Sequence, residues 1–223
     1  RGNSLKVYFF DEVENTQELA ISKFSSEPIL IIARKQLKGR GRKGNDWENA
    51  DQALACSFAF SLEKDHQNTS LLPLIAGYEF SSLYEERKVF LKWPNDLIVD
   101  EKKIGGILVE KSKEVFVTGI GINYFWKSPN ILSAGSLFDE EVSYEHINEY
   151  AQIWATNYIE SIDRGSFSLE GYVEKCETIG KLIEYPQGRG WAKNINNDGS
   201  LLIEKEDGET ISIYESMISE VSL

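Results

Sequence analysis

The strongest constraint on the fold comes from three strand-like runs in close succession. Residues 89–99 (VFLKWPNDLIV), 103–111 (KIGGILVEK) and 114–124 (EVFVTGIGINY) are rich in β-branched and aromatic residues, and very short connections separate them. Parallel neighbours would need a crossover of about a dozen residues or more between strands. The sequence therefore predicts an antiparallel meander, with helices packed against it.

Strand and helix patterns on both sides of this meander indicate an α+β chain. The run VYFFDEVENTQELAISKF (7–24) predicts a strand that leads into a helix, with Asn15 as the N-cap and Glu18 three residues later. Continuous apolar runs predict buried strands at 29–33 and 53–60. Apolar spacing predicts helices over 69–86, 144–162 and 169–176.

The pattern changes after Gly180, where short strands alternate with turns. Two of these turns, NNDG (196–199) and EDG (206–208), are typical of β-hairpins. Short strands at this spacing suit a small barrel. We therefore expect a main domain over residues 1–177 and a separate small β-barrel over residues 178–223.

Composition and charge limit the partners and the compartment. The formal net charge is −12 over 223 residues, so the general electrostatic field repels nucleic acid and anionic membranes. Two cysteines are too few for a disulfide framework or a zinc site. The chain has no apolar run of membrane-spanning length and no signal-peptide pattern at its start. We expect a cytoplasmic protein, with His66 and His146 at its surface.

A glycine-rich cationic loop contrasts with this acidic background. Residues 37–47 (LKGRGRKGNDW) alternate basic residues with glycines. Glycine lets backbone N–H groups approach a ligand closely, and arginine matches phosphate or carboxylate with a planar fork of donors. The loop alone is compatible with an anion clamp, with a solvated basic turn, or with contacts to RNA.

Other motifs favour a ligand cleft. In residues 92–96 (KWPND), Pro94 ends a strand and leaves Asn95 and Asp96 at a turn, which by itself is also typical of a simple Asn-Asp turn. Glycines interrupt the next two strands at 105–106 and at 119 and 121. Glycine within a strand indicates a bulge or a ligand close to the backbone, so these two strands could form the floor of a narrow slot.

Four motifs together closely resemble the biotin protein ligases. They are GRGRKGNDW (39–47), KWPND (92–96), KIGGILVE (103–110) and GIGIN (119–123), in this order and spacing. The resemblance implies a catalytic domain with a mixed sheet and helices, similar to class II aminoacyl-tRNA synthetases, followed by an SH3-like barrel. It also implies two reactions. Biotin and ATP, with Mg²⁺, form biotinyl-5′-AMP, and biotin then passes to a lysine of a biotin carboxyl carrier protein of acetyl-CoA carboxylase.

The resemblance also implies which residues form the site. Asn15-Thr16-Gln17 match the family's Ser-Thr-Asn contact with biotin, and only Thr16 is retained. Lys103, with Arg40 and Arg42, would supply the main catalytic charge. The implied biotin site comprises Asn15, Thr16, Gln17, Gln36, Gly39, Arg40, Gly41, Arg42, Lys103, Gly106, Leu108, Gly119 and Ile122. The implied ATP site comprises Arg40, Arg42, Trp47, Asn95, Lys103 and Asn123, with Asn95 also near Mg²⁺.

Alternatives remain at this point. Trp47 would pack on adenine, or it would serve as a core anchor. Some family members carry an N-terminal helix-turn-helix, but here the first strand pattern begins at Val7. We therefore expect a ligase that does not bind DNA, as a monomer or homodimer, unless residues were removed upstream. The rivals are a lipoate or octanoate ligase or transferase of the same fold, and a non-catalytic nucleic-acid-binding protein.

Overall fold

A mixed sheet forms the larger part of the computed structural model, which describes residues 5–41, 47–48, 50–62, 69–215 and 218–220. The strands are β1 Lys6–Val13, β2 Ile29–Gln36, β3 Gln52–Ser61, β4 Phe90–Lys92, β5 Asp96–Val99, β6 Lys102–Ser112, β7 Val115–Phe125, β8 Leu182–Tyr185, β9 Gly188–Ile195, β10 Leu201–Glu204, β11 Thr210–Ile213 and β12 Ile218–Glu220. The helices are α1 Thr16–Lys23, α2 Leu72–Leu83, α3 Tyr144–Arg164 and α4 Leu169–Lys175.

The predicted meander is confirmed and forms one side of the large sheet, with β4 at the edge. The strand order is β1-β2-β3-β7-β6-β5-β4, with β12 paired to β6. The first predicted run divides into β4 and β5, because the Trp93–Pro94 segment forms the turn between them. β1 and β2 are parallel, as their connection through α1 requires, and the pairs from β2 to β4 are antiparallel. The α+β class is therefore confirmed.

Alternate residues of the central strands face two different layers. On β2, Leu30 and Ile32 join the core beneath α2 and α3, whereas Ile29 and Ile31 pack with Ala20 of α1. A strand needs no alternation of polarity when both faces are covered, which explains the continuous apolar run of β2. The helices thus lie on both faces, with α1 at one end of the face opposite α2 and α3.

The start of one predicted helix is confirmed, and that of another changes for a local reason. Asn15 caps α1 as expected, since its Oδ1 accepts a hydrogen bond of 3.1 Å from the backbone N–H of Glu18. The helix predicted over 69–86 is shorter. It begins as a 3₁₀ turn at Thr69–Leu71, and α2 then starts with Pro73 in its first turn, where proline costs no hydrogen bond.

The C-terminal segment forms a four-stranded antiparallel sheet in the order β11-β10-β9-β8. Trp93 attaches it to the main sheet, because its Nε1 donates to the carbonyl of Gly199 at 2.8 Å and its backbone N–H donates to Oγ1 of Thr178 at 3.0 Å. The last strand leaves this small sheet. β12 runs parallel to β6, with Ser219 opposite Glu110. The final strand of the predicted small domain therefore belongs to the large sheet, where it pairs along β6 beyond the reach of β5.

None of the described helices combines the length and the apolar character needed to cross a membrane. The longest, α3, is amphipathic. It buries Trp154, whose indole N–H donates to the carbonyl of Ala76 in α2 at 3.0 Å. This contact joins the two helices that cover the core.

His146 differs from its predicted surface position, whereas His66 lies outside the described residues. The imidazole stacks on Tyr150, with ring centroids 4.2 Å apart, and its Nε2 lies 3.1 Å from the hydroxyl of Tyr84. Tyr84 in turn shares a hydrogen bond of 2.7 Å with Tyr124. Burial lowers the pKa of His146 below its ordinary value of 6.5, and the nearby Glu149 opposes this shift only partly.

This lowered pKa predicts a specific pH dependence of stability. The unfolded chain binds a proton at His146 more readily than the folded chain does. The contribution of neutral His146 is therefore fully present above pH 6.5 and is lost as the pH falls through the folded-state pKa. Melting temperatures of the wild type and His146→Phe should converge, or reverse in favour of the variant, between pH 7.5 and pH 5.5 (about one unit on either side of that value). A constant difference across this range would contradict the prediction.

Candidate functional site

A cleft of about 470 Å³ opens on the face of the large sheet beside the start of α1. Its wall is formed by strands β3, β6 and β7, the start of α1, the end of β2 and the segment after it, the turn between β4 and β5, and the small sheet. The residues that line it are Asn15, Thr16, Gln17, Gln36, Arg40, Gly41, Trp47, Cys56, Ser57, Lys92, Trp93, Pro94, Asn95, Asp96, Lys103, Gly106, Ile107, Leu108, Gly119, Ile120, Gly121, Thr178, Ile183, Leu201 and Glu215.

Paired glycines form the floor of the cleft. Gly106 on β6 lies directly opposite Gly121 on β7. A methyl group added at Gly121 would lie 3.0 Å from Cζ2 of Trp47, and one at Gly106 would lie 3.7 Å from its Cζ3. The absence of side chains at this pair therefore allows the Trp47 indole to lie against the backbone of the sheet.

A β-bulge aims Lys103 into the same cleft. The pairing between β5 and β6 shifts register at this point, with Leu97 opposite Gly105 but Ile98 opposite Lys103. The extra residue, Ile104, is fully buried on the core side. Because a bulge reverses the alternation of side chains, Lys103 emerges on the face of Gly106 instead of the opposite face. Its Nζ would lie 3.7 Å from a methyl group at Gly106.

Two ion pairs hold cationic groups at the cleft. The ammonium of Lys103 lies 2.7 Å from Oδ1 of Asp96, and the guanidinium of Arg40 lies 3.1 Å from Oε1 of Glu18. Arg40 also lies 3.9 Å from Oε1 of Glu110, whose side chain is only 7% exposed. Both cations are partly solvent-exposed, so each can exchange its carboxylate partner for an anionic ligand at modest cost.

A directed chain of hydrogen bonds closes the end of the cleft near α1. The hydroxyl of Ser57 donates to Oγ1 of Thr16 at 2.8 Å, and Oγ1 of Thr16 donates to Oε1 of Gln36 at 3.0 Å. The backbone N–H of Thr16 donates to the same Oε1 at 2.7 Å. These two donors fix the orientation of the Gln36 amide, with its oxygen toward Thr16 and its NH₂ group on the other side.

At Gln17, in contrast, the oxygen of the side-chain amide faces the cleft wall. Its Nε2 is surrounded by three acceptors: the carbonyl of Leu108 at 3.2 Å, Oε2 of Glu110 at 3.0 Å and the carbonyl of Val117 at 3.3 Å. Its Oε1 is buried and has no hydrogen-bond partner among the residues that the structure describes. This oxygen faces Gly119 on the cleft wall, where an added methyl group would lie only 2.7 Å away. An unpaired buried acceptor is costly, so it marks a place for a ligand donor.

Most of the predicted site residues converge on this cleft. The residues that line it as predicted are Asn15, Thr16, Gln17, Gln36, Arg40, Gly41, Trp47, Asn95, Lys103, Gly106, Leu108 and Gly119. Gly39 lies just behind, where a methyl group would be 3.0 Å from Cβ of Trp47. Arg42 lies outside the described residues.

Two predicted residues lie elsewhere. Ile122 is fully buried in the core beneath α2 and α3, because it is one position out of phase with Gly119 and Gly121 on β7. Asn123 has the correct phase but lies beyond the cleft wall, where its Nδ2 donates to the carbonyl of Gly135 at 3.0 Å. Because side chains alternate between the two faces of a strand, the spacing within GIGIN (119–123) would have excluded Ile122 from the face that Gly119 and Gly121 share.

Asn95, the predicted magnesium contact, lies at the cleft. The Asn95 side chain lines the cleft, but its Nδ2 donates to the carbonyl of Ile107 at 2.9 Å. Within the described part of the chain, no group of three or more His, Cys, Asp or Glu side chains is arranged to hold a metal ion. Asn95 as a magnesium contact stays a prediction.

Sequence reasoning missed several residues of the site. Ser57 lies opposite Gly119 on the neighbouring strand, so strand pairing would have been needed to find it. Asp96 was noted only as a turn residue, although its carboxylate holds Lys103. Thr178, Ile183 and Leu201 bring the small sheet to the cleft. No local pattern in the sequence marks these three contacts.

Comparisons with curated proteins identify relatives of this chain. The sequence model of the biotin/lipoate A/B protein ligase family matches residues 10–124, just over half of the chain. The bifunctional ligase/repressor BirA of Salmonella typhimurium is 35% identical over 199 residues, which cover 78% of this chain and 61% of that protein. Biotin--protein ligase 2 of Arabidopsis thaliana is 30% identical over 126 residues, covering 50% and 38%. The chain thus spans less than two thirds of the length of these relatives.

Solved structures support the same relationship over nearly the whole chain. The biotin protein ligase of Aquifex aeolicus in complex with biotin and ATP superposes with a TM-score of 0.79 at 26% identity, covering 95% of this chain and 97% of that one. The biotin acetyl coenzyme A carboxylase synthetase of Helicobacter pylori, with bound biotinylated ATP, gives 0.65 at 25% identity, covering 94% and 100%. Because the family model matches more than half of its residues, the chain belongs to the biotin/lipoate A/B protein ligase family.

Proposed function

We propose that this chain is a biotin protein ligase that catalyses two consecutive reactions. In the first, the biotin carboxylate attacks the α-phosphorus of ATP, forming biotinyl-5′-AMP and releasing pyrophosphate. In the second, the amine of a carrier-protein lysine attacks the acyl carbon of this mixed anhydride. The amide bond forms, a proton leaves the nitrogen, and AMP departs.

One observation carries the choice of biotin: the polarity of the closed end of the cleft. The ureido ring of biotin has two N–H donors and one carbonyl acceptor. The unpaired Oε1 of Gln17 offers an acceptor, and the Gln36 amide, with its oxygen held by Thr16, turns its donor side away from Thr16. A cyclic urea is the complement of this pattern, and it would provide the hydrogen bond that Gln17 lacks.

The lipoate or octanoate alternative fits this end of the cleft less well. A dithiolane ring or an alkyl chain has no N–H group, so Oε1 of Gln17 would stay buried without a partner. A site built to hydrogen-bond a substrate rejects an analogue that lacks the group, because its own polar atoms are left unpaired. The two acids share a carboxylate, so discrimination must come from this end.

Charge and positioning account for the chemistry proposed at the carboxylate and the phosphates. Neither step needs a dedicated acid or base, but both need neutralisation of the negative charge that develops around the α-phosphate. Lys103 and Arg40 supply positive charge at the cleft, and we assign them to the carboxylate and phosphates of the reactants. Arg42, outside the described residues, keeps the same role as a prediction.

The Trp47 indole and the glycine floor suit a planar nucleobase. The Trp47 indole lies close to Gly106 and Gly121, and we assign its exposed side to the adenine of ATP. Magnesium would enter as part of the nucleotide substrate, since Mg²⁺ at such sites is held chiefly by phosphates and one or two protein oxygens. Asn95 lines the cleft and is the proposed contact.

The proposed protein partner is a biotin carboxyl carrier domain. A relative from Paracoccus denitrificans, 28% identical over 122 residues, is named a biotin--[acetyl-CoA-carboxylase] ligase, so the carrier domain of acetyl-CoA carboxylase is the first candidate. The oligomeric state, monomer or homodimer, stays a prediction.

The direct test incubates the purified chain with Mg-ATP, an acid and a biotin carboxyl carrier domain. We expect pyrophosphate release and a carrier mass gain equal to one biotinyl group, both dependent on ATP. Lipoate and octanoate, run in parallel, should give neither. Transfer of lipoate in place of biotin would establish the rival activity, and no pyrophosphate with any of the acids would exclude the proposed reaction.

Lys103→Ala should lower the rate of biotinyl-5′-AMP formation by about 10²- to 10³-fold, the usual effect of removing one transition-state charge partner. Lys102→Ala is the matched control, because Lys102 is the adjacent, exposed lysine and does not line the cleft. The readout is single-turnover pyrophosphate release. Equal rates in the two variants would remove Lys103 from the mechanism.

Thr16→Val should weaken biotin binding roughly tenfold to a hundredfold, since it deletes the hydroxyl that links Ser57 to Gln36 while keeping the shape of the side chain. Calorimetric titration with biotin gives the Kd. Ser22→Ala, which removes an exposed hydroxyl from the same helix, is the control. An unchanged Kd for Thr16→Val would show that the hydrogen-bonded chain does not contribute to biotin binding.

A further inference from the structure

The buried carboxylate of Glu110 is not part of the predicted site, yet it contacts two of its residues. Glu110 is 6% exposed and lies on β6, two positions beyond Leu108. Its Oε2 accepts from Nε2 of Gln17 at 3.0 Å, and its Oε1 lies 3.9 Å from the guanidinium of Arg40. Burial of a carboxylate is costly, and a protein core gains little from it when an apolar side chain would fill the same volume.

The contacts of Glu110 determine how the Gln17 amide is turned. An amide in this position could place either its oxygen or its nitrogen near β6 and β7. The two backbone carbonyls and the negative charge of Glu110 all attract the NH₂ group and repel the oxygen. The oxygen is therefore directed toward Gly119 on the cleft wall, where no described residue provides a hydrogen-bond partner.

The position of Gly119 is consistent with this role. A side chain there would collide with Oε1 of Gln17 at 2.7 Å and with Cδ at 3.0 Å. The glycine thus leaves room for the amide oxygen in the orientation that Glu110 favours. Gln17 also stands where the resemblance predicts asparagine, so the longer side chain reaches β6 and makes this orientation dependent on a charge there.

We propose that Glu110 is a positioning residue for the acid substrate: it acts through Gln17 to present a hydrogen-bond acceptor to the ureido N–H of biotin. This inference rests on the proposed function and extends it to a residue that does not itself contact the substrate. Glu110 itself does not line the cleft. Its second contact, with Arg40, links the acceptor at the ureido end to a cation assigned to the carboxylate.

The first test compares Glu110→Leu with the wild type. Leucine has similar volume and is apolar, so a purely structural role predicts an unchanged or higher melting temperature and an unchanged Kd for biotin. The positioning role predicts that the fold is retained while the Kd for biotin rises about tenfold or more. The Kd for ATP should stay the same. Glu114→Gln, an exposed acidic residue on the same hairpin, is the control.

A double-mutant cycle tests whether Glu110 acts through Gln17. In the Gln17→Ala background, Glu110→Leu should change the Kd for biotin by no more than about twofold, because the residue through which it acts is absent. The same large change in both backgrounds would overturn the proposal. Glu110→Asp, which keeps the charge, should recover part of the affinity and provides the measurement if Glu110→Leu does not fold.

Biotin binding by the wild type distinguishes a failure of the positioning role from a failure of the proposed function. If the wild type binds biotin and Glu110→Leu binds it equally well, the positioning role is wrong and the proposed function stands. If the wild type binds no biotin while it binds another acid or none, the proposed function is wrong, and the role of Glu110 toward biotin is wrong with it.

Discussion

The rest of the structure depends on the strand pair β6–β7, because the two faces of this pair lie in different environments. One face packs against α2 and α3 through Ile107, Ile120 and Ile122, and the other forms the floor of the cleft. A strand alternates its side chains strictly, so each residue is committed to one face. Glycines meet this demand on the cleft side, since they leave the backbone open to a planar group without disturbing the isoleucines behind it.

The site requires one departure from the regular alternation of side chains along β6, and this is the β-bulge at Ile104. Regular alternation would turn Lys103 toward the core, where an unpaired ammonium is unfavourable. The extra residue reverses the phase, and Ile104 and Gly105 both face the core. A methyl group at Gly105 would lie only 2.5 Å from Cδ1 of Ile122. The two glycines of the motif thus have different functions: Gly105 permits the bulge to pack, and Gly106 opens the floor.

The acidic character of the chain and its cationic loop are compatible once the charges are located. Glu18 and Glu110 hold Arg40, and Asp96 holds Lys103, so these two cations at the cleft are already paired with carboxylates. An anionic ligand would replace these partners without changing the kind of interaction that each cation makes. The polar end of the cleft depends instead on neutral hydrogen bonds, which discriminate by direction and not by charge. The two ends therefore recognise different parts of one molecule.

Much of this fold follows from patterns within single segments of the sequence. The meander, the N-cap at Asn15 and the cationic loop depend on spacing, turn length and residue type, all of which are local, and the four motifs in order were enough to indicate the family. The tertiary structure alone decided which strands are neighbours and which distant residues meet at the site. It paired β12 with β6, and it brought Ser57, Glu110 and the small sheet to the site. The physical reason is that register, bulges and contacts between distant segments arise from packing of the whole chain, and no local pattern encodes them.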